Sequence, residues 1–319
     1  MSDQKIIAIG GENLIDRVQT GAQDGQTTFA NNPGGSPFNV AMAVARQDGV
    51  AHYLTPISTD DMGDLLAERL INSGVHIAAP RRDEPTSLAI VTLNNGIPDY
   101  EFRRTGTAER CVTEASIAAA QPPGTAVFHI GSLALIEGDD ARAWEAAANT
   151  ASANGQMVSL DPNVRTSLIH DHENYRARLM RLFHTADLVK LSDEDLEYFY
   201  PDTPLQSAWE SLCNTSPAAL IVLTKGPDGA QAYNGDHHVS IAAPKVPDLK
   251  DTIGAGDTFM GTLLATLTAS DTLTKDKLKG LDDAMLKTLL TRAAQAAALN
   301  CAQEGCNPPT LTELDAALV

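Results

Sequence analysis

The sequence is short of positive charge, of aromatic side chains and of cysteine. Only 23 Lys and Arg stand against 41 Asp and Glu, a formal net charge of −18 at pH 7. Such a field repels polyanions, which argues against nucleic acid or an anionic membrane as partner. An anionic substrate must then be held by a local site. Aromatic residues are 5% of the chain and do not cluster, so no stacking pocket for a nucleobase is marked. The four cysteines, Cys111, Cys213, Cys301 and Cys306, contain no CxxC pair and have no histidine cluster beside them. They read as reduced structural thiols of a cytoplasmic protein. No run of about 18 apolar residues exists, so no transmembrane helix is expected. Met1-Ser2-Asp3-Gln4-Lys5 leads directly into a strand-like run, without the apolar segment of a signal peptide. Also missing are a GxxxxGK(S/T) phosphate loop and the His-Arg-Asp loop of protein kinases.

What is present is strand–helix alternation. The 319 residues, 43% of them hydrophobic, suffice for one large α/β domain or two small ones. Ile6–Gly11 is an apolar run ending in glycines. Similar runs recur at 126–130, 157–160, 188–191 and 220–223. Helical periodicity separates them at 37–46, 61–73, 142–153, 175–185 and 204–214. This order predicts a mostly parallel sheet with helices on both faces and ligands at the strands' carboxyl ends. Two stretches break it. Val18–Ala30 is polar, and Ser87–Arg104 reads as a hairpin about Asn94-Asn95-Gly96. A hairpin inserted here is either a small β lid over the site or a surface decoration.

The most informative stretch is Asp251-Thr252-Ile253-Gly254-Ala255-Gly256-Asp257-Thr258-Phe259-Met260. A small-residue turn opens a helix whose apolar positions, Phe259, Met260, Leu263, Leu264 and Leu267, have helical spacing. Exposed N–H groups and the helix dipole make its start an anion site. Asp257 is either a helix-capping acid or a general base that takes a proton from a hydroxyl attacking a phosphoryl group. Spacing alone leaves both open.

Other motifs sit at strand ends. Asp16, after Gly10-Gly11-Glu12, is either a plain turn aspartate or an acceptor for sugar hydroxyls. In Pro33-Gly34-Gly35-Ser36-Pro37-Phe38-Asn39 the glycines admit a ligand to backbone, Pro37 suits a first helical turn, and Asn39 can donate and accept. Asp161-Pro162-Asn163-Val164-Arg165 offers a planar cationic fork, or a plain Asp–Arg pair. In Lys190-Leu191-Ser192-Asp193-Glu194-Asp195, Ser192 suits a helix cap. Thr224-Lys225-Gly226-Pro227-Asp228-Gly229 follows the most apolar strand. The alanine-rich helix over 293–302 carries Asn300, and its small residues suit either tight helix packing or a flat ring.

Taken in order, these motifs span about residues 5 to 315 and resemble the ribokinase-like (PfkB) sugar kinase family, most like its fructokinase branch. The resemblance implies one domain over 1–319 with a three-layer α/β/α fold, a mostly parallel central sheet, and a β lid formed by about 14–32 and 86–106. It implies ATP and magnesium as cofactors. Asp257 would be the base, and Gly254, Ala255 and Gly256 the anion hole. Asp16, Gly34, Gly35 and Asn39 would bind sugar, with Arg104 reaching it from the lid. Arg165, Ser192, Thr224, Lys225, Gly226, Gly229 and Asn300 would serve the nucleotide, and Asp195 magnesium through water. Asp251, Ile253 and the Gly305–Asn307 turn match a potassium site. The chain departs from the family at Thr262, where Gly or Ala is usual, and at Ser192 and Asp195, which replace Asn-x-x-Glu. The expected activity is phosphorylation of a primary hydroxyl, with fructose as acceptor. A sugar acid, 2-keto-3-deoxygluconate, would need a cation such as Arg103 or Arg104. A nucleoside kinase lacks aromatic support. A non-catalytic sugar-binding regulator is opposed by the retained Asp257 and its glycines. Exposed lid edges are expected to pair in a homodimer.

Overall fold

The first apolar run forms an inner strand, third from one edge, of a nine-stranded sheet. Ile7, Ala8 and Ile9 of β1 (Ile6–Gly10) are fully buried, because strands covered on both faces need no polar alternation. The computed structural model describes residues 5–23, 26–94 and 97–318. Next in order come β2 (Leu14–Gln23), β3 (Gln26–Gly34), α1 (Ser36–Arg46), β4 (Val50–Tyr53), α2 (Asp61–Asn72) and β5 (His76–Ile77). The middle of the chain holds β6 (Ser87–Asn94), β7 (Ile97–Arg103), α3 (Glu114–Ala120), β8 (Thr125–Gly131), α4 (Gly138–Ala153), β9 (Met157–Asp161) and α5 (His172–Thr185). Then follow β10 (Leu188–Ser192), α6 (Asp193–Phe199), α7 (Leu205–Thr215), β11 (Leu220–Thr224), β12 (Ala230–Tyr233) and β13 (His238–Ile241). The chain closes with α8 (Ala255–Ala269), α9 (Lys275–Lys279), α10 (Asp283–Cys301) and α11 (Leu311–Ala317).

The large sheet runs β13-β12-β11-β10-β9-β8-β1-β4-β5. It is parallel from β11 to β5, and β12 and β13 extend it antiparallel. Two apolar cores cover its faces. On one, α1, α2, α8 and α10 bury Phe38, Met42, Leu66, Leu70, Met260, Leu263 and Leu290. On the other, α4, α5, α6 and α7 bury Trp144, Leu179, Leu182, Leu196 and Trp209. The result is a three-layer α/β/α architecture. Each fully buried Leu, Ile or Phe contributes roughly 1.5–3 kcal/mol, so tertiary packing outweighs intrinsic propensity in holding these helices. At Thr262 the neighbouring glycine provides the close approach: Gly261 packs against Ala43 and the Val40 carbonyl of α1. The Thr262 hydroxyl donates to Thr258 O at 2.8 Å and accepts from Gln47 at 2.8 Å. A buried threonine therefore fits without loss of packing.

A second sheet of four strands, ordered β3-β2-β6-β7, stands beside the first. β2 and β3 are antiparallel, β2 and β6 parallel, β6 and β7 antiparallel. The polar stretch 18–30 thus supplies two strands. Its polarity reflects partial exposure, not loop structure. The expected Asn95-Gly96 turn lies outside the described residues. Strand alternation turns Arg104 inward, its side chain 11% exposed, and Arg103 outward at 61%. Among the described residues no helix is long and apolar enough to cross a membrane.

Candidate active site

The carboxyl ends of β1, β8, β9 and β10 meet the starts of α1 and α8 along one edge of the large sheet. A cavity of about 330 Å³ lies there, lined on one side by Glu12, Asp16, Ser36, Asn39, Phe102 and Leu133. Its other side is Asn163, Arg165, Lys190 and the segment from Thr252 to Asp257.

Asp257 stands at the centre. It is the third residue of α8, whose cap, Gly254, has φ 72° and receives no side-chain cap bond. A Cβ at Gly254 would collide with the side chain of Cys306, so the left-handed turn and the close neighbour both require glycine. Asp257 is 7% exposed. Its Oδ1 accepts from the Ser36 hydroxyl at 2.7 Å and its Oδ2 from the Asn39 amide at 2.8 Å. Asn163 Nδ2 lies 3.4 Å from Oδ1. Burial pushes the carboxyl above its ordinary range, while Ser36, Asn39, Lys190 and Arg165 pull the other way. A buried carboxylate of raised proton affinity, held at both oxygens, suits a general base.

Beneath the α8 start is a buried ion pair. Lys190 Nζ is 2.9 Å from Asp161 Oδ2, with side-chain exposures of 4% and 1%. Burial opposes the lysine charge, but Asp161, Asp195 and Asp257 outweigh it and hold the ammonium above its usual range. Burial raises Asp161, and Lys190 works against that rise. A Cβ on Gly256 would come within 3.1 Å of Lys190 Nζ. Uncapped helix start and ammonium thus converge on one spot, an arrangement that favours an anion.

Asp16 reaches the cavity from β2. Its carboxyl is pushed up to about 6 by burial, with Arg165 opposing, and no protein hydrogen bond contributes. The α1 start is closed instead. Glu12 is fully buried, and its Oε1 accepts the Ser36 N–H at 2.8 Å.

Of the residues singled out in the sequence, Asp16, Gly35, Asn39, Arg165, Ile253, Gly254, Ala255, Gly256 and Asp257 line this one cavity. Gly34 packs beside the Asp16 carboxylate. Ser192 and Thr224 pair across β10 and β11 at the same edge of the sheet. Lys225 and Gly226 follow them, and Gly229 is a tight turn against the Ile241 carbonyl.

Three of the expected ligand-binding residues have protein partners of their own. Arg104 does not line the cavity: its guanidinium pairs with Glu109 at 2.9 Å and donates to Leu133 O, so its charge is already matched. Asp195 accepts from the backbone of Ser192 and Val164, one bond on each oxygen, and acts as a clamp between two loops. Asn300 is wholly buried; it donates to Ile253 O at 2.8 Å and accepts from Asn307 N at 2.7 Å, tying the turn after α10 to the α8 loop. Asp251 reinforces that tie through Ile253 N and Gly305 N. Among the described residues no three His, Cys, Asp or Glu side chains gather as a metal cage.

Sequence reasoning passed over Ser36, Glu12, Asn163 and Lys190 as site residues. Lys190 carried a signal, a lone lysine inside an otherwise apolar strand. Ser36 and Glu12 carried none, because their roles depend on segments far apart in the chain.

The model for pfkB family carbohydrate kinases matches residues 4–313. A fructokinase of Rhizobium leguminosarum bv. trifolii is 36% identical over 284 residues, 87% of this chain and 84% of that protein. Fructokinase-1 of Oryza sativa subsp. japonica is 30% identical over 98% of this chain and 96% of its own. Among solved structures, fructokinase with bound ATP from Xylella fastidiosa superposes with a TM-score of 0.88 at 27% identity, covering 99% of this chain and 98% of that one. A Vibrio cholerae O395 fructokinase double mutant bound to fructose, ADP and potassium ion gives a TM-score of 0.84 at 25% identity, with both chains covered completely. With the family model spanning nearly the whole chain and relatives aligned almost end to end, this protein belongs to the pfkB family of carbohydrate kinases.

Proposed function

We propose that this kinase transfers the γ-phosphoryl group of ATP to a primary hydroxyl of fructose. The observation that carries the reading is Asp257, buried and held at both oxygens beside an uncapped helix start. Asp257 takes the proton of the sugar hydroxyl as its oxygen attacks the phosphorus. The N–H groups of the Gly254–Gly256 turn and the Lys190 ammonium stabilise charge on the transferring group. Asp16 and the backbone of Gly34 and Gly35 orient the sugar. Magnesium commonly binds through substrate phosphates and water. The absence of an acidic cage among the described residues suits an ion of that kind, which neutralises phosphate charge when bound. Arg165, Ser192, Thr224, Lys225 and Gly226 face or adjoin the side where the nucleotide would lie.

Fructose is favoured over a sugar acid on two grounds. The curated relatives above are fructokinases, and both lid arginines already have carboxylate partners, Arg104 with Glu109 and Arg103 with Glu101. A coupled ADP-release assay across a panel of sugars tests this. kcat/KM for fructose should exceed that for 2-keto-3-deoxygluconate by at least about tenfold. The reverse order would sink fructose and leave the kinase reading standing.

A potassium ion suits the Asp251 carboxylate and the Ile253 carbonyl, since each oxygen accepts one hydrogen bond and keeps a second acceptor direction. Equal rates in potassium and choline buffers would remove that assignment. The four-stranded sheet is read as a lid whose outer strands, β3 and β7, pair with a second copy. A monomeric mass by light scattering at micromolar concentration would contradict the dimer.

A further inference from the structure

Asp257 is gripped from one side by a single helix. Ser36 and Asn39 are three residues apart on α1, so both side chains lie on the same face. They divide the carboxylate between them, the hydroxyl on Oδ1 at 2.7 Å and the amide on Oδ2 at 2.8 Å. Ser36 is itself fixed from behind. Its N–H donates to Glu12 Oε1 at 2.8 Å, and Gly35 before it packs on the Glu12 carbonyl, where a Cβ would lie only 2.5 Å away. The serine is 7% exposed. The described hydrogen bond of its hydroxyl goes to Asp257.

We propose that Ser36 is a positioning residue for the base: its hydroxyl holds Asp257 Oδ1 and keeps the carboxylate ionised and aimed at the acceptor hydroxyl. The proposal rests on Asp257 being the base. A donor on a carboxylate oxygen favours the charged form, and a buried carboxylate has little water to replace a lost donor. The other charged or titratable groups that act on Asp257 come from different elements: Lys190 on β10, Asp161 on β9, Arg165 after β9 and Cys306 after α10. Removing the Ser36 hydroxyl changes none of them. Asp16 and Asp161, both raised to about 6, titrate alike in every variant, so the difference between variants, and not the profile itself, reports on this bond.

The test is the pH profile of kcat/KM for Ser36→Ala and Ser36→Thr beside the wild type. Without the hydroxyl the base should be protonated at higher pH. The ratio of kcat/KM near pH 8.5 to that near pH 5.5 should then rise by about threefold or more over the wild-type ratio. Ser36→Thr keeps the donor and should bring the ratio back. A Ser36→Ala enzyme slowed equally at every pH, with its ratio unmoved, would show that the serine only packs and would overturn the proposal. If the alanine variant does not fold, Ser36→Gly removes the same hydroxyl and is read the same way. A wild-type enzyme inactive on every sugar would count against the kinase reading, whereas an active wild type with an unmoved ratio counts against Ser36 alone.

Discussion

Two helices begin at the same cavity, each after a glycine with positive φ and neither with a capping side chain of its own. Gly35 before α1 has φ 119°, and Gly254 before α8 has φ 72°. Their local sequences are alike, yet the two starts are opposites. At α1 the buried carboxylate of Glu12 accepts the first free N–H and occupies the positive end of the dipole. At α8 no side chain intervenes, and Lys190 adds its charge from below. The first N–H of α1 is thus taken by a carboxylate, whereas the start of α8 is left open beside an ammonium. What separates the two starts is the loop each packs against, not the glycine motif.

The largest expected effect breaks the α8 side. Asp257→Asn keeps shape and loses the proton acceptor, and kcat should fall by about 10²–10⁴-fold with sugar affinity little changed. Turnover within a factor of a few of wild type would make Asp257 a mere cap. A smaller effect sharpens the contrast between the glycines. Gly254→Ala forces a side chain toward Cys306 at positive φ, which costs about 1–3 kcal/mol. It should lower kcat by about tenfold or more if the turn binds the transferring group. Gly35→Ala, colliding with the Glu12 backbone, should instead act mainly on KM for the sugar. Matching kcat losses in the two variants would dissolve the distinction.

The smallest effect comes from pH. Asp16, raised to about 6 by burial, accepts hydroxyls best when ionised. Sugar binding is then fully supported above that value and lost as pH falls through it, so KM for the sugar should rise several-fold from pH 7 to 5, as roughly one lost charged hydrogen bond would give. Asp16→Asn should show a raised KM with a flat profile. A wild-type KM that is level across the range would detach Asp16 from the sugar.

Much of this was readable without coordinates. The buried strands at 157–161, 188–192 and 220–224 could be read because parallel strands under two helical layers are apolar throughout. The strands β4, β5, β12 and β13 escaped because they are short and lie toward the sheet's two edges. The pair β2 and β3 escaped because a sheet with only partial cover has a weak period-two pattern. The helices α1, α2, α4, α5 and α7 were legible to within a few residues from their apolar spacing, whereas α10 begins at Asp283, ten residues before the expected 293, and the short α3, α9 and α11 showed no period.

In the site, the sequence by itself determined where a helix had to start on glycine, which carboxylate stood in its first turn, and which polar residues ended strands. Those are properties of a few consecutive residues and their backbone limits. Only the tertiary structure decided what each polar group faces. It gave the Asn39 amide to Asp257, turned Arg104 onto Glu109, enclosed Asn300 as a brace, and set Glu12 against one helix start and Lys190 under the other. Hydrogen bonds and charge pairs act over a few ångströms between residues up to 261 positions apart, and no local pattern encodes which partner a buried polar group will meet.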